Sequence, residues 1–210
     1  MDTIRNRARD NLPMVLLTLL SIVQALALEL LWGQIRELSF LYELTLSAFI
    51  GWTQVGCTLI GILLIWLNYA STTMRFSWVP STSDSVFPFL IGVLEFAQID
   101  SLGLGEVGLW LMLLWLIFAL VTVANHMIYR RARLDEANTA WFCNVSRATR
   151  KDFYPVIGIV TGLVVAGLYF ILIGGTAGWI ALLAVLATAV VLLYELHVTH
   201  DFWKRSMGER

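Results

Sequence analysis

The chain has 210 residues, of which 59% are hydrophobic and only 14% charged, and its formal net charge is −1. Soluble domains carry about 25% charged residues, so a soluble particle of this size could not cover its surface with polar groups. The composition excludes a soluble enzyme and a disordered chain, and the charge gives no reason to expect a nucleic-acid partner. We predict an all-α integral membrane protein that forms one polytopic domain.

Apolar runs of about 20 residues, the length that crosses a bilayer as a helix, recur along the chain. The third run is short and interrupted by polar residues and Pro88, which predicts a short or broken helix. The last two runs are separated by 174–176, where two glycines predict a tight hairpin. The six predicted membrane spans are 12–32, 46–70, 86–102, 107–129, 155–173 and 177–198.

The basic residues predict the orientation. If all six segments cross, every one of the 14 Lys and Arg residues except Arg36 lies on the side of the N-terminus. If 86–102 did not cross, the basic residues between 130 and 151 would lie on the opposite side. The positive-inside rule therefore selects six spans with both termini in the cytoplasm. We expect a multi-pass protein of a cell membrane, and of the bacterial inner membrane in particular.

The longest stretch between predicted spans is the cytoplasmic segment 130–154, whose apolar residues recur at helical spacing. No Gly or Pro occurs between Leu109 and Tyr154, so the fourth span can continue inward as one helix or bend onto the membrane surface. The segment is either an interfacial connector or a docking helix for a cytoplasmic protein or an identical subunit. The candidate docking residues are Trp141, Phe142, Arg147, Arg150 and Lys151.

Small residues predict where spans pack closely. In the fifth span Gly158, Gly162 and Ala166 recur every four positions, and the sixth span carries a similar stripe of small residues. Such stripes let helix backbones approach, so we expect these two spans to pack with each other or across a subunit boundary. The fourth span is rich in Leu, Trp and Phe, and we expect much of its surface to face lipid.

Polar side chains at membrane depth are costly, so each one is a functional hypothesis. Two carboxylates and several amides in a low dielectric favour a cation or share a proton. We predict that they line a pathway with Glu95 at its centre, and plain interhelical hydrogen bonding is the alternative. These side chains, in the outer halves of the first three spans, are Gln24, Glu29, Gln54, Glu95 and Gln98.

A second group of polar side chains lies toward the cytoplasmic ends of the spans. A single His-x-x-His pair, His197 and His200, is weak evidence for a metal, and solvation at a helix C-terminus explains it more simply. We therefore expect no metal and no cofactor. The group comprises Asn68, Asn125, His126, Glu195, His197 and His200.

These patterns favour an oligomeric channel or transporter for cations or protons. The alternative is a non-conducting membrane sensor or anchor that recruits a cytoplasmic partner through 130–154. A lipid-modifying membrane enzyme that uses His126, His197 or Glu195 ranks last. The expected partners are membrane lipids, further copies of the chain and a cytoplasmic protein.

Overall fold

A computed structural model describes residues 2–79, 81–143, 154–173 and 178–207, and within these ranges the regular elements are all helical. Short 3-10 turns follow the first helix, precede the fourth and follow the fourth. The helices in chain order are α1 (Asp2–Glu37), α2 (Leu46–Arg75), α3 (Thr82–Asp100), α4 (Val107–Ala132), α5 (Thr139–Phe142), α6 (Tyr154–Ile173) and α7 (Gly178–Met207).

Four of these helices are long and apolar enough to cross a membrane, which confirms the prediction of a multi-pass helical membrane protein. The third and fifth predicted spans are also helices, α3 and α6, but they fall outside this group of four. α3 is short and carries three acidic residues, yet it continues unbroken through Pro88. The four apolar segments are Asn6–Glu37, Leu46–Arg75, Val107–Ala132 and Gly178–Arg205.

The long helices run alternately between two ends of the bundle. At one end, which we call the basic end, Arg9 Nη1 lies 3.7 Å from Asp135 Oδ2, and the first turns of α1 and α3 lie beside the last turns of α2, α4 and α7. At the opposite, acidic end, Gln34 Nε2 donates to Asp100 Oδ1 over 3.2 Å. α6 also runs from the basic end to the acidic end, since its last turns contact the start of α4.

α4 has one face in the core of the bundle. It packs against α3 on one side and α6 on the other, while α7 packs chiefly against α2. Trp110 and Leu111 are fully buried in a core that also contains Val185 and Leu192 of α7. Leu109, Leu116 and Val123 on the same helix are exposed, so one face of the fourth span packs in the core and another lies on the surface of the bundle, as its long apolar side chains allow.

The backbones of α4 and α6 approach each other closely at Gly108 and Gly167. A Cβ on Gly108 would lie 2.9 Å from the backbone nitrogen of Ile171 and 3.0 Å from the carbonyl oxygen of Gly167. Gly158 and Gly162 are exposed, and a Cβ on either would have no neighbour within 4 Å. Within one chain, α6 therefore packs on α4 through a glycine outside the predicted stripe. The predicted hairpin at 174–176 lies outside the described residues.

The chain turns back directly after α4 instead of continuing as one helix. Asn138 is buried, and its Nδ2 donates to the carbonyl oxygens of Ala132 at 2.7 Å and of Ser77 at 2.6 Å. Its Oδ1 accepts from the Ser77 backbone nitrogen over 3.1 Å. These bonds compete with helix continuation, so the uninterrupted helix that the sequence allows does not form. Residues 144–153, with the docking candidates Arg147, Arg150 and Lys151, lie outside the described residues.

A buried ion pair joins the start of α3 to the end of α4. Both carboxylate oxygens of Asp84 lie within 2.6 Å of Arg131 Nη1, and the Asp84 side chain is 1% exposed. Asp84 Oδ2 also accepts from the Ser81 backbone nitrogen over 2.9 Å, as in a helix capping box. This carboxylate therefore fixes the position of α3 against α4 at the basic end.

We expect Gly108→Val to destabilise the protein by about 2 kcal/mol, because the new side chain must push α6 away from α4. The matched control is Gly33→Val on α1, where the added atoms meet open space, and the free energy of unfolding should change little. Unfolding titrations in detergent measure both. Equal stabilities would contradict the α4–α6 contact.

Replacing Asp84 by Asn should lower the free energy of unfolding by about 2–3 kcal/mol, since it removes the carboxylate that neutralises a largely buried guanidinium. Asp10→Asn is the control, because the Arg9–Asp10 pair is solvent-exposed and worth less than about 0.5 kcal/mol. The same unfolding titration distinguishes the two variants. A small effect at position 84 would show that the ion pair does not hold α3.

Candidate functional site

A close contact between α1 and α3 positions the central acidic side chain. Gly92 is buried, and a Cβ at this position would clash with Cγ1 of Val23. Because glycine lets the two helices approach here, the next residue of α1, Gln24, comes within reach of Glu95, three positions further along α3.

Gln24 and Glu95 form a buried hydrogen-bonded pair. Gln24 Nε2 donates to Glu95 Oε2 over 2.9 Å, and the two residues are 4% and 2% exposed. The ion pairs found among the described residues do not involve Glu95. A carboxylate that is buried without a cation carries a large desolvation cost, so this environment favours the neutral carboxyl.

The two oxygens of the pair that have no hydrogen-bond partner also favour the neutral carboxyl. Gln24 Oε1 and Glu95 Oε1 are both buried and have no hydrogen-bond partner. Two acceptors cannot satisfy each other, but a single proton on Glu95 can be donated to the amide oxygen, since a neutral carboxyl and a primary amide have complementary groups. The pair therefore has two buried acceptors that lack a donor.

Gln54, another of the predicted pathway residues, supports the turn between α3 and α4. Its side chain is fully buried, and Oε1 accepts from the backbone nitrogen of Gly103 over 3.0 Å. Gly103 has a φ of 132°, a conformation that only glycine adopts readily. This glutamine thus caps a tight turn, while its Nε2 is left without a partner.

The remaining two predicted pathway residues, Gln98 and Glu29, differ in their exposure to solvent. Gln98 is 2% exposed and lies one turn beyond Glu95 on α3, with its Nε2 unpartnered. Glu29 is exposed on α1 and takes no part in the Gln24–Glu95 pair. Of the five predicted residues, the structure therefore brings Gln24 and Glu95 into direct contact, keeps Gln54 and Gln98 buried, and places Glu29 on the surface of the bundle.

A cavity of about 130 Å³ lies between α2, α4, α6 and α7, in the half of the bundle toward the basic end. Several polar side chains line it, and Asn68 Oδ1 is buried there without a hydrogen-bond partner. Thr122 and Thr199, which the sequence analysis missed, could have been found by their helical spacing from Asn125 and Glu195. The polar lining residues are Asn68, Thr122, Asn125, Glu195 and Thr199.

A second cavity, of about 30 Å³, shares Asn68 and Asn125 with the first and extends toward Asp84 at the basic end. Its other limit is Ile91, one turn of α3 before Glu95. The volume suffices for a water molecule. Neither Gln24 nor Glu95 lines either of these two cavities.

The docking candidates Trp141 and Phe142 pack against the bundle in the described part of the chain. The guanidinium carbon of Arg75 lies 4.1 Å from the centre of the Trp141 ring, and that of Arg133 lies 4.6 Å from the Phe142 ring. Phe142 also stacks on Phe76 with ring centres 5.2 Å apart. Both aromatic rings are half-buried, and their faces are occupied by residues of the same chain.

The histidines considered for catalysis do not share a site with Glu195. His197 Nε2 lies 3.6 Å from Asp201 Oδ2 one turn further along α7, and both side chains are exposed. His197 and His200 line an open groove between α2 and α7, whereas Glu195 lines the cavity on another face of the helix. His126 is exposed on α4.

Neither a protein-family model, nor a curated protein, nor a solved structure matches this chain. Function is therefore inferred from the chemistry and placement of the side chains described above.

We expect Glu95→Gln to change the free energy of unfolding by less than about 0.5 kcal/mol, because the introduced amide can donate to Gln24 Oε1 as the protonated carboxyl does. Glu95→Ala should cost about 2 kcal/mol, since it leaves a cavity and an unpartnered amide. Unfolding titrations compare the variants.

Infrared spectroscopy tests the protonation state directly. The wild-type protein should show the carbonyl stretch of a protonated carboxylic acid, and this band should be lost in Glu95→Gln. Glu37→Gln, which changes an exposed carboxylate at the end of α1, should leave the band in place. Absence of the band from the wild-type protein near neutral pH would contradict a neutral Glu95.

Proposed function

We propose that this chain is a membrane transport protein that moves protons, with Glu95 as the proton-carrying group and several copies of the chain forming the working assembly. In this proposal all six long helices cross the membrane, both termini are cytoplasmic, and the location is the bacterial inner membrane. The observation that carries the proposal is the buried Gln24–Glu95 pair, in which one oxygen of each side chain is left without a hydrogen-bond partner.

The direction of the helices supports six spans. α3 and α6 run between the same two ends as the four long apolar helices. Basic side chains concentrate at one end, where Arg9, Arg75 and Arg131 meet the segment that follows α4 or the start of α3. Under the positive-inside rule this end faces the cytoplasm.

The packing around Glu95 favours a proton over a larger cation. Metal cations such as Ca²⁺ and Mg²⁺ take about six or more oxygen ligands and keep part of their hydration shell. Glu95 is 2% exposed and lines none of the cavities described here, so the two unpartnered oxygens of the pair provide neither enough ligands nor space for a hydrated ion. A proton requires only one donor and one acceptor.

The small cavity supports proton access from the basic end. It extends from Asp84 and Tyr69 to Ile91, one turn of α3 before Glu95. A water molecule held there would be one step of a proton path between the basic end and the turn of α3 that precedes Glu95. Rearrangement of the Ile91 side chain would complete this connection.

The exposed stripe on α6 supports association of several copies. Gly158 and Gly162 are exposed, and added Cβ atoms would have no neighbour within 4 Å. Small residues spaced by four allow a helix of another copy to approach this face closely.

The test is proton flux into proteoliposomes that contain a pH-sensitive dye, driven by an imposed potential. We expect Glu95→Gln to reduce flux to the level of empty liposomes, because the amide cannot release a proton, while the variant keeps its fold and its assembly state. Glu37→Gln, the exposed control, should retain wild-type flux.

Three results would overturn the proposal. Wild-type flux in Glu95→Gln would remove Glu95 from the pathway. Potassium or sodium flux that exceeds proton flux would favour a cation channel. Absence of flux from well-folded wild-type protein would favour the non-conducting sensor or anchor, and the 130–154 segment would then be the place to search for a partner.

A further inference from the structure

The cavity of about 130 Å³ between α2, α4, α6 and α7 is amphipathic along its length. Its lining on α2 extends from Gly61 to Asn68, which is about two helical turns or roughly 10 Å. One end is walled by apolar side chains and the other by polar ones. The apolar lining residues include Leu64, Leu114, Ile117, Phe118, Ile159 and Leu192.

The apolar end has the size of a single ring. A dry, apolar cavity of about 150 Å³ in another protein is known to bind benzene, and the present volume is close to that. A Cβ on Gly61 would have no neighbour within 4 Å, so this part of the wall is open space rather than packed protein. A compact apolar group of about six carbon atoms fits here.

The polar end presents hydrogen-bond acceptors. Glu195 contributes a carboxylate, and Asn68 Oδ1 is buried without a partner. The Thr122 hydroxyl donates to the Phe118 carbonyl oxygen over 2.8 Å, which leaves the Thr122 oxygen free to accept. None of the residues that line the cavity is Lys, Arg or His. The polar end therefore favours a positively charged donor.

We propose that this cavity binds a small amphipathic amine, whose apolar ring lies between α2, α4 and α6 and whose protonated amino group contacts Glu195 and Asn68. The site is separate from Glu95, which does not line the cavity. The inference therefore does not depend on proton transport by the Gln24–Glu95 pair. A free amine is favoured over a lipid amine, because a ring with its amino group already fills the volume of about 130 Å³.

Binding is tested on the full-length protein in phosphatidylcholine nanodiscs by calorimetric titration and by the shift in Tm. The three probes share a benzene ring and differ in the charge of the attached polar group: benzylamine is cationic, benzyl alcohol is neutral and benzoate is anionic. We expect saturable binding and a raised Tm with benzylamine, weaker binding of benzyl alcohol and none of benzoate.

Two variants locate the site. Glu195→Gln should weaken benzylamine binding by at least about tenfold, since the charged partner is lost, and should leave benzyl alcohol binding nearly unchanged. Gly61→Val should abolish binding of both by filling the apolar end. The matched control is Gly56→Val on the same helix, which meets similarly open space but does not line the cavity.

The proposal is overturned if benzylamine and benzyl alcohol bind equally, or if benzylamine binding survives Gly61→Val in a variant with wild-type thermal unfolding. Competition by phosphatidylethanolamine added to the nanodiscs would identify a lipid amine as the occupant and would also overturn it. Loss of proton flux in Glu95→Gln has no bearing on these results, so the two proposals fail separately.

Discussion

The need to satisfy polar groups inside an apolar helical bundle constrains the whole of this structure. Water does not reach these positions freely, so each buried donor or acceptor must find a partner within the chain or remain costly. Asp84 meets Arg131 and the backbone of Ser81, Asn138 bonds to three backbone groups of Ser77 and Ala132, and Gln54 accepts from Gly103. These contacts fix the turns at the two ends of the bundle, and they use the polar side chains for structure rather than for chemistry.

Buried polar atoms without partners remain at several places among the described residues, and two of these places carry the functional proposals. At Gln24 and Glu95 two buried oxygens are left without partners, and the proposed proton would give them one. Asn68, whose side-chain oxygen is also unpartnered, lines a cavity together with Glu195, and the proposed amine would act as a donor there.

The sequence predicts correctly those features that depend on one segment of the chain alone. The starts of α2 at Leu46 and α4 at Val107 agree with the predicted spans, because apolar length is a property of one segment. It also singled out Glu95 and Gln24, since a polar residue within an apolar run is visible without any partner. It did not identify the contact between α4 and α6: within one chain Gly108 and Gly167 make the close approach, while Gly158 and Gly162 are exposed. The spacing of glycines shows that another helix can approach closely, but it does not show which helix does so.

The sequence by itself therefore determined the class of protein, the positions of the long apolar helices and the small set of polar residues at membrane depth, because hydrophobic burial acts on each segment independently. Only the tertiary structure decided which of those residues meet. Gln24 and Glu95 are 71 positions apart, and their contact depends on Gly92 letting α3 approach Val23. The exposure of Glu29 and the cavity beside Glu195 likewise depend on how the helices rotate and pack, which is set by contacts between distant segments.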